Sequence, residues 1–362
     1  MKVFIKNNAI YIYIFTFLII SYLAIYNSSI YVSRSNLYYK QSIWYTIGLI
    51  LIYIIKRIDL KKIYKFSLFL YIINIILLIG LIFFGKSING SKAWYSILGI
   101  SFQPSEFMKI SLILINSCII DYFYKNKKKI NHKEEFKMIL LLFFILLIPS
   151  IITFLEPDTG AVISYMVISI SMLYISNIDK RWFTLFFIII ALFLIIFFYI
   201  YFNNQNLFIN IFGYNFFYRI DRIINWKSKS GMQLNNSLIA IGSSGITGLK
   251  KIPLYYPEAE TDFVFTSFES SYGFLGGIFL LVITFSFDIY ILNQIKKETN
   301  KQNKYVLFGI LSLFLYQQTQ SIAMTLGLLP ITGITLPLIS YGGTSVISYL
   351  ILIGIYLNIR KV

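Results

Sequence analysis

The acidic string at residues 257–263, PEAETDF, holds the residue types best suited to acid–base chemistry. Glu258, Glu260 and Asp262 place three carboxylates within five residues, just before an apolar run that starts near residue 268. Crowded carboxylates at an apolar boundary raise one another's pKa, which makes a carboxylate a competent base near neutral pH. The same acids would also suit the start of a helix, where the macrodipole favours negative charge. The spacing alone does not choose between these two interpretations.

A second polar string, FQPSEFMK at residues 102–109, combines a carboxylate with an amine. Pro104 stands where a helix can begin, because the first helical turn tolerates a residue without an N–H group, and Ser105 is one possible cap. Glu106 and Lys109 are three residues apart, so they share a helix face and can neutralise each other. The pair predicts either a structural ion pair or a cation, Lys109, that faces a polar cavity.

A third polar string, EPDTG at residues 156–160, interrupts an apolar run. A plain turn accounts for its proline and glycine, but a turn does not need two carboxylates, Glu156 and Asp158. Ionisable groups at membrane depth are costly unless they are paired or face water. The string therefore favours an interrupted membrane span that faces a cavity.

The fourth polar string, GLLPITGITLPLISYGGTS at residues 327–345, is the most specific in the chain. Two prolines and four glycines break an apolar stretch. Irregular backbone at membrane depth is tolerated where it is buried in protein or lines a cavity. Ser340 and Gly342 in this string are candidate substrate-binding residues.

These strings need elements to position them, and the composition predicts membrane helices. The chain has 362 residues, of which 57% are apolar and 13% charged, and its mean hydropathy is +0.73. Soluble domains are typically about 45–50% apolar and about 25% charged. The composition therefore excludes a soluble enzyme and a secreted disulfide scaffold. With a single cysteine, Cys118, and a single histidine, His132, an intrachain disulfide is impossible and a Cys/His zinc site is disfavoured.

Hydrophobic runs divide the chain into about ten candidate spans, most of them near the ~20 residues that cross a ~30 Å hydrocarbon core. The sequence predicts an all-α, polytopic integral membrane protein with a single membrane domain over residues 1–362. One large loop outside the membrane, about 203–267, should contain short interfacial helices. The candidate spans are 9–27, 41–55, 66–84, 104–120, 138–154, 161–177, 183–202, 268–293, 305–326 and 339–358.

The net charge of +17 is mainly a signal of topology. Basic residues concentrate in alternate connecting segments, such as residues 125–137 and 296–304. The positive-inside rule then predicts that both termini are cytoplasmic and that the candidate active site faces outward. Attraction to anionic membrane lipid explains the basic balance better than nucleic acid does, and no nucleic-acid partner is predicted.

Taken in chain order, the four polar strings and NNSLIAIGSSGITG at residues 235–248 resemble the SEDS (shape, elongation, division and sporulation) family of RodA/FtsW/SpoVE-like cell-wall proteins. The resemblance covers nearly the whole chain, and family members have ten spans with both termini inside. It implies a peptidoglycan glycosyltransferase of the bacterial plasma membrane. Such an enzyme polymerises lipid II into β-1,4-linked glycan strands and releases undecaprenyl pyrophosphate, for cell elongation or division.

The resemblance also implies site residues and partners. The family's essential aspartate maps onto Asp262, as general base or as the group that orients the attacking hydroxyl. Fixed positive charge, or a divalent cation such as magnesium or manganese, would stabilise the leaving pyrophosphate. The implied partners are lipid II, a class B penicillin-binding protein (a transpeptidase) and membrane lipid. Besides Ser340 and Gly342, the candidate substrate-binding residues are Arg219, Arg222, Lys109, Glu106, Lys92, Asp158 and Glu258.

Some positions depart from the family pattern. Glu260 stands where the family often has histidine, and a carboxylate there would raise the pKa of Asp262 by like-charge repulsion. Ser270 and Ser271 replace a usual pair of acids, and Ser321 replaces an asparagine. These differences indicate a divergent lineage.

Three other functions compete with the polymerase. A transporter that flips lipid II or another polyprenyl-linked sugar is the main alternative, because broken helices and intramembrane acids suit transporters equally well. A non-catalytic scaffold that recruits a transpeptidase should have lost the acid of the TDF string, which this chain retains as Asp262. A different membrane glycosyltransferase, such as an O-antigen ligase-like enzyme, is disfavoured by the ISYGG string at residues 339–343.

Overall fold

The structure of the chain is a computed structural model, dominated by helices. It describes residues 2–32, 36–88, 91–97, 100–125, 130–225, 231–249 and 257–361. Within these residues the helices are α1 (Lys2–Val32), α2 (Leu37–Arg57), α3 (Leu60–Lys65), α4 (Ser67–Phe84), α5 (Pro104–Tyr124), α6 (His132–Leu155), α7 (Thr159–Ile175), α8 (Lys180–Asn203), α9 (Gln205–Phe212), α10 (Tyr214–Ile224), α11 (Gly231–Ser243), α12 (Val264–Lys297), α13 (Lys301–Thr325) and α14 (Gly343–Ile359).

The predicted class, an all-α multi-pass membrane protein, is confirmed. Six of the described helices are long and apolar enough to cross a membrane: parts or all of α1, α4, α5, α6, α8 and α12. Helices α7 and α14 are shorter apolar helices. Each of the ten predicted spans overlaps one described helix, and the crossing of the bilayer by all ten stays a prediction.

The connections between the long helices gather at two ends of the bundle. At one end, Ser340 donates a hydrogen bond to the Thr261 carbonyl oxygen at 2.6 Å. At the other end, Tyr64 donates to the side-chain oxygen of Asn303 at 2.7 Å. Helices that cross a bilayer in alternating directions place successive connections at opposite ends of the bundle. All four polar strings meet at the first end, which is therefore the end that carries the candidate chemistry.

A small antiparallel sheet between α4 and α5 was not predicted. Its strands are β1 (Lys86–Ile88), β2 (Ser91–Ile97) and β3 (Ile100–Phe102), in the order β1-β2-β3. Tyr95 of β2 donates a hydrogen bond to the Leu77 carbonyl oxygen of α4 at 2.7 Å. This contact holds the sheet against the bundle, next to the start of α5.

The predicted short helices of the large loop are confirmed as α9, α10 and α11. Helices α9 and α10 pack against the end of α8 through an aromatic cluster that is separate from the main core. The cluster is centred on three buried side chains, Phe197, Tyr201 and Phe208. Burial of aromatic rings accounts for an ordered loop in this region.

Helix α8 lies apart from the bundle over most of its length, because no side chain from Thr184 to Ile196 is buried. Its start is held by Glu135 of α6, which is 1% exposed. Glu135 accepts hydrogen bonds from the Asp179 backbone N–H at 3.1 Å and from the Trp182 indole N–H at 2.9 Å. The helix is thus anchored near its ends and exposes its middle to lipid.

Helix α12 breaks at Gly273, whose φ of 70° and ψ of −170° are not helical. The segment 244–249 fills the break. The Leu249 N–H donates to the Ser270 carbonyl oxygen at 3.0 Å, and the Phe274 N–H donates to the Gly245 carbonyl oxygen at 3.0 Å. Backbone groups that the break frees are therefore paired again, as burial requires.

Two glycines make this backbone contact possible. Gly248 and Gly273 both have positive φ, and a Cβ on either would collide with backbone atoms of the other segment. Only glycine adopts this conformation without strain and allows so close an approach. The contact separates the first part of α12, which begins two residues after Asp262, from the longer apolar remainder of the helix.

We predict that Gly248→Ala and Gly273→Ala each destabilise the protein, because strained backbone of this kind costs on the order of 1–3 kcal/mol before the steric clash is added. The measurement is the apparent Tm of the purified protein in detergent. Gly242→Ala is the matched control: Gly242 lies in α11, where an added Cβ would meet nothing within 4 Å, and alanine favours helix there. A fall in Tm for the control equal to that of the two variants would contradict the prediction.

Candidate active site

A cavity of about 890 Å³ lies at the end of the bundle where α2, α5, α7 and α14 begin. Its wall contains residues from all four polar strings, so the fold brings together segments that lie more than 200 residues apart in sequence. Trp44 and Trp94 also line it. The charged residues of its described wall are Lys40, Glu106, Lys109, Asp158, Glu258, Glu260 and Asp262.

Lys109 and Glu106 form the ion pair that their spacing predicts. The Lys109 ammonium is 2.7 Å from Oε1 of Glu106, and Lys109 is only 1% exposed. Glu106 also accepts a hydrogen bond from the Ser348 hydroxyl at 3.1 Å. The ammonium lies 5.3 Å from the ring centroid of Tyr349, which adds a cation–π contact. The positive charge of Lys109 is therefore largely compensated within the protein.

Asp158 joins the starts of α5 and α7. Its Oδ1 accepts a hydrogen bond from the Ala161 N–H at 3.0 Å, which caps α7. Its Oδ2 accepts from the Gln103 amide at 3.0 Å and from the Ser105 hydroxyl at 3.1 Å. The sequence had suggested Ser105 as a possible cap of α5, but Ser105 does not cap that helix. Gln103 occupies the N-cap position without a side-chain cap bond. Burial raises the pKa of Asp158, and the Ala161 hydrogen bond opposes that rise.

Glu156 lies behind the cavity wall rather than on it. It is 2% exposed, and no group in the described part of the chain donates a hydrogen bond to either carboxylate oxygen. Burial and, second, the charge of Asp158 raise the pKa of Glu156 to about 8. The carboxyl is thus mainly protonated at neutral pH. The interpretation that both acids of the third string face a cavity holds for Asp158 and is wrong for Glu156.

The acidic string forms a tight turn that ends one residue before α12, so its acids do not occupy the first turn of that helix. Glu258 adopts a positive φ of 60°. Its carbonyl oxygen accepts hydrogen bonds from the N–H groups of Thr261 at 3.2 Å and Phe263 at 3.0 Å. Its carboxylate accepts from the Thr261 hydroxyl at 2.7 Å. The turn places Glu258, Glu260 and Asp262 together on the cavity wall.

The fourth string holds this turn in place. The Ser340 hydroxyl donates to the Thr261 carbonyl oxygen at 2.6 Å and accepts from the Leu336 N–H at 2.9 Å. The Tyr341 N–H donates to the Glu260 carbonyl oxygen at 2.8 Å. Ser340 is 3% exposed and is not part of the cavity wall, so its position is that of a residue that supports the turn rather than one that contacts substrate. Gly342 does line the cavity.

Helix α2 in turn fixes the fourth string, which sequence reasoning did not foresee. The Gln41 amide donates to the Ser340 carbonyl oxygen at 3.0 Å and accepts from the Gly342 N–H at 3.4 Å. The Tyr45 hydroxyl donates to the Leu338 carbonyl oxygen. The signal in the sequence was an amide and a phenol one helical turn apart, near the start of a span whose later part is apolar.

Asp262 differs from the other cavity carboxylates in lacking local partners. Among the described residues, no group donates a hydrogen bond to its carboxylate. Burial first, and then the charges of Glu258 and Glu260, raise its pKa to about 7. A partly exposed carboxylate with such a pKa can accept a proton near neutral pH and release it again.

The remaining candidates are distributed as follows. Lys92 is exposed on β2 and is not part of the cavity wall, and its role in substrate binding stays a prediction. Arg219 and Arg222 belong to α10, and their side chains lie outside the described part of the structure. Lys40 lines the cavity and was not predicted.

The resemblance allows for a bound magnesium or manganese ion, but the described residues do not form a site that would hold such an ion with protein ligands alone. No group of three or more His, Cys, Asp or Glu side chains in the described part of the chain is arranged to hold a metal. Carboxylates of the cavity could still contribute one or two ligands to a cation that a phosphate group also binds, which is the usual mode of magnesium.

The fold and the cavity define the class: a polytopic membrane protein that carries a carboxylate-lined cavity at one end of its helical bundle. The chain belongs to the FTSW_RODA_SPOVE family of cell cycle proteins, whose family model matches residues 3–362. The predicted SEDS membership is thereby confirmed.

Curated relatives carry the predicted activity in their names. The chain is 31% identical over 366 residues to the peptidoglycan glycosyltransferase MrdB of Helicobacter pylori, covering 96% of this chain and 88% of the relative. It is 30% identical over 329 residues to the probable peptidoglycan glycosyltransferase FtsW of Hydrogenovibrio crunogenus, covering 87% and 79% of the two chains. The predicted enzyme class agrees with both names.

A solved structure shares the fold. One chain of a peptidoglycan synthase complex, described as coordinating polymerization and crosslinking, superposes with a TM-score of 0.80. The match covers 97% of both chains at 22% identity. At this identity the likeness establishes the fold of the chain.

The buried ion pair generates a stability prediction. Glu106→Gln leaves the Lys109 ammonium buried without its counter-charge, and breaking a buried pair in this way costs about 3–5 kcal/mol. We expect a marked fall in apparent Tm in detergent for Glu106→Gln, and a smaller fall for the double variant Glu106→Gln/Lys109→Met, in which no charge is stranded. Glu298→Gln, outside the cavity, is the control. A double variant less stable than Glu106→Gln would contradict this account.

Proposed function

We propose that this protein polymerises lipid II into β-1,4-linked glycan strands with release of undecaprenyl pyrophosphate. The observation that carries the proposal is the state of Asp262, a cavity carboxylate with no hydrogen-bond donor among the described residues and a pKa raised to about 7. Such a group is suited to take a proton from a sugar hydroxyl at neutral pH. The enzyme names of the relatives support the same reaction.

Asp262 acts as the general base in the proposed step. The acceptor sugar hydroxyl gives its proton to the Asp262 carboxylate while its oxygen forms a bond to the anomeric carbon of the donor. The bond between that carbon and the pyrophosphate oxygen breaks, and the pyrophosphate leaves with the electron pair. Direct displacement of this kind inverts the anomeric centre, and the proton on Asp262 then passes to solvent.

The start of α14 supplies part of the positive potential that the leaving pyrophosphate needs. Helix α14 begins at the cavity without a side-chain cap, and a helix N-terminus favours negative charge. The starts of α5 and α7 already face the carboxylates of Glu106 and Asp158. A bound divalent cation would neutralise further charge on the departing group. Arg219 and Arg222 of α10 remain candidates for the same task.

The distribution of charge supports an outward-facing site. The end of the bundle opposite the cavity carries the lysine-rich segments 56–65 and 296–304. The positive-inside rule supports a cytoplasmic location for that end and for both termini, with the cavity facing outward from a bacterial plasma membrane. There the glycan product would meet its natural partner, a class B penicillin-binding protein that crosslinks it; the complex that contains the structural relative supports such a pairing.

Loss of the base should stop polymerisation. We expect Asp262→Asn to lower the rate of glycan synthesis from labelled lipid II by about 10²–10⁴-fold, the usual contribution of general base catalysis, while lipid II binding is retained. Lys56→Gln, at the opposite end of the bundle, is the control. Polymer synthesis at the parent rate by Asp262→Asn contradicts the mechanism. Scrambling of lipid II between leaflets with no polymer from the parent protein favours the flippase instead.

The pH profile should report the carboxylate neighbours. Asp262 must be ionised to act as base, so kcat/KM should rise with pH through about 7. Glu258→Gln and Glu260→Gln each remove a negative charge that raises this pKa, so each should move the acid limb to lower pH, with the larger shift for Glu258→Gln. Glu298→Gln should leave the limb in place. If the acid limb of the kcat/KM profile stays at the same pH in both cavity variants, the pKa that it reports does not belong to Asp262.

A further inference from the structure

The cavity carries an excess of negative charge that an anionic substrate must overcome. Within the described part of its wall, two ammonium groups stand against five carboxylates. At short range in a site of reduced dielectric, like charges repel one another more strongly than they do in water. A substrate with a diphosphate group therefore needs a positive side chain at the point where that group enters.

Lys109 does not meet this need. Its ammonium is 2.7 Å from the Glu106 carboxylate, and its side chain is 1% exposed. Moving Lys109 toward a substrate would leave Glu106 buried without its partner, which is strongly unfavourable.

Lys40 is the other ammonium group of the described wall. Its side chain is exposed and makes no ion pair or hydrogen bond with any residue that the structure describes; the one bond it shows is from its backbone N–H to the Asn36 carbonyl oxygen at 3.2 Å. Its positive charge is thus available to a ligand in the cavity.

The backbone around Lys40 is firmly positioned with respect to Asp262. The next residue, Gln41, bonds to both Ser340 and Gly342, and Ser340 bonds to the carbonyl oxygen of Thr261. One chain of contacts therefore joins the first turn of α2 to the residue before Asp262. The backbone at Lys40 is thereby linked, through Gln41 and Ser340, to the turn that carries Asp262.

Trp44 lies one helical turn after Lys40 and also lines the cavity. Residues four apart share a helix face. A Cβ on Gly343 would collide with the Trp44 ring, so the indole is seated on the start of α14. The face of α2 that enters the cavity therefore presents an aromatic ring packed on Gly343 and an exposed cation.

We propose that Lys40 binds the diphosphate group that links the donor sugar to its polyprenyl chain. The inference rests on the proposed function and assigns one substrate group to one side chain. Charge-assisted hydrogen bonds from an ammonium to phosphate oxygens are strong, and a lysine on a flexible stem can follow the diphosphate from the bound donor to the departing product.

The test compares Lys40→Gln and Lys40→Arg with the control Lys86→Gln, an exposed lysine of β1 outside the cavity wall. Farnesyl pyrophosphate and farnesyl monophosphate serve as probes for binding to the purified full chain in detergent. We expect Lys40→Gln to weaken pyrophosphate binding by about tenfold or more, as the loss of a hydrogen bond to a charged group implies, and to abolish the preference over monophosphate. Lys40→Arg and Lys86→Gln should keep that preference.

Kinetics provide a second readout. In glycan synthesis, Lys40→Gln should raise KM for lipid II, whereas Asp262→Asn lowers the rate without losing pyrophosphate binding. Parent-like binding of pyrophosphate by Lys40→Gln, at an unchanged apparent Tm, overturns the inference, as does loss of the preference in Arg219→Gln or Arg222→Gln while Lys40→Gln retains it. If the parent makes no polymer but binds pyrophosphate through Lys40, the proposed reaction is wrong and the assignment of Lys40 stands.

Discussion

Two hydrogen bonds between the fourth string and the acidic turn are the constraint on which the site depends. The Ser340 hydroxyl and the Tyr341 N–H hold the carbonyl oxygens of Thr261 and Glu260, and so keep three like charges together against their mutual repulsion. Backbone acceptors tie the turn down without neutralising any carboxylate. Asp262 therefore stays chemically available.

The same constraint explains why so much of the fold converges on an irregular segment. Residues 327–342 form no helix, and their polar backbone must find partners elsewhere. Helix α2 supplies them through Gln41 and Tyr45, and α13 through Gln320, whose amide donates to the Pro330 carbonyl oxygen at 3.0 Å. The irregular segment that supports the acidic turn is thus itself held by α2 and α13.

Local patterns in the sequence were enough to predict the helices, the pairing of Glu106 with Lys109 and the break at residues 156–158. They failed where the outcome depends on contacts between distant segments. Ser105 bonds to Asp158 instead of capping its own helix, and Gln41 meets Ser340 across 299 positions of sequence. Spacing arguments describe neighbours on one element, whereas these bonds arise only once the bundle has assembled.

No side chain in the middle of α8 is buried against the described part of the chain. Between Thr184 and Ile196 an amino acid therefore has no neighbouring helix of the bundle to fit, and the main requirements are an apolar side chain and a helical backbone. Exchange of leucine, isoleucine and phenylalanine there disturbs no buried contact within the described chain, whereas Glu135 and Trp182, at the start of the helix, are tied to each other by a specific hydrogen bond. Related sequences should therefore share the hydrophobicity of this stretch more closely than they share its individual residues.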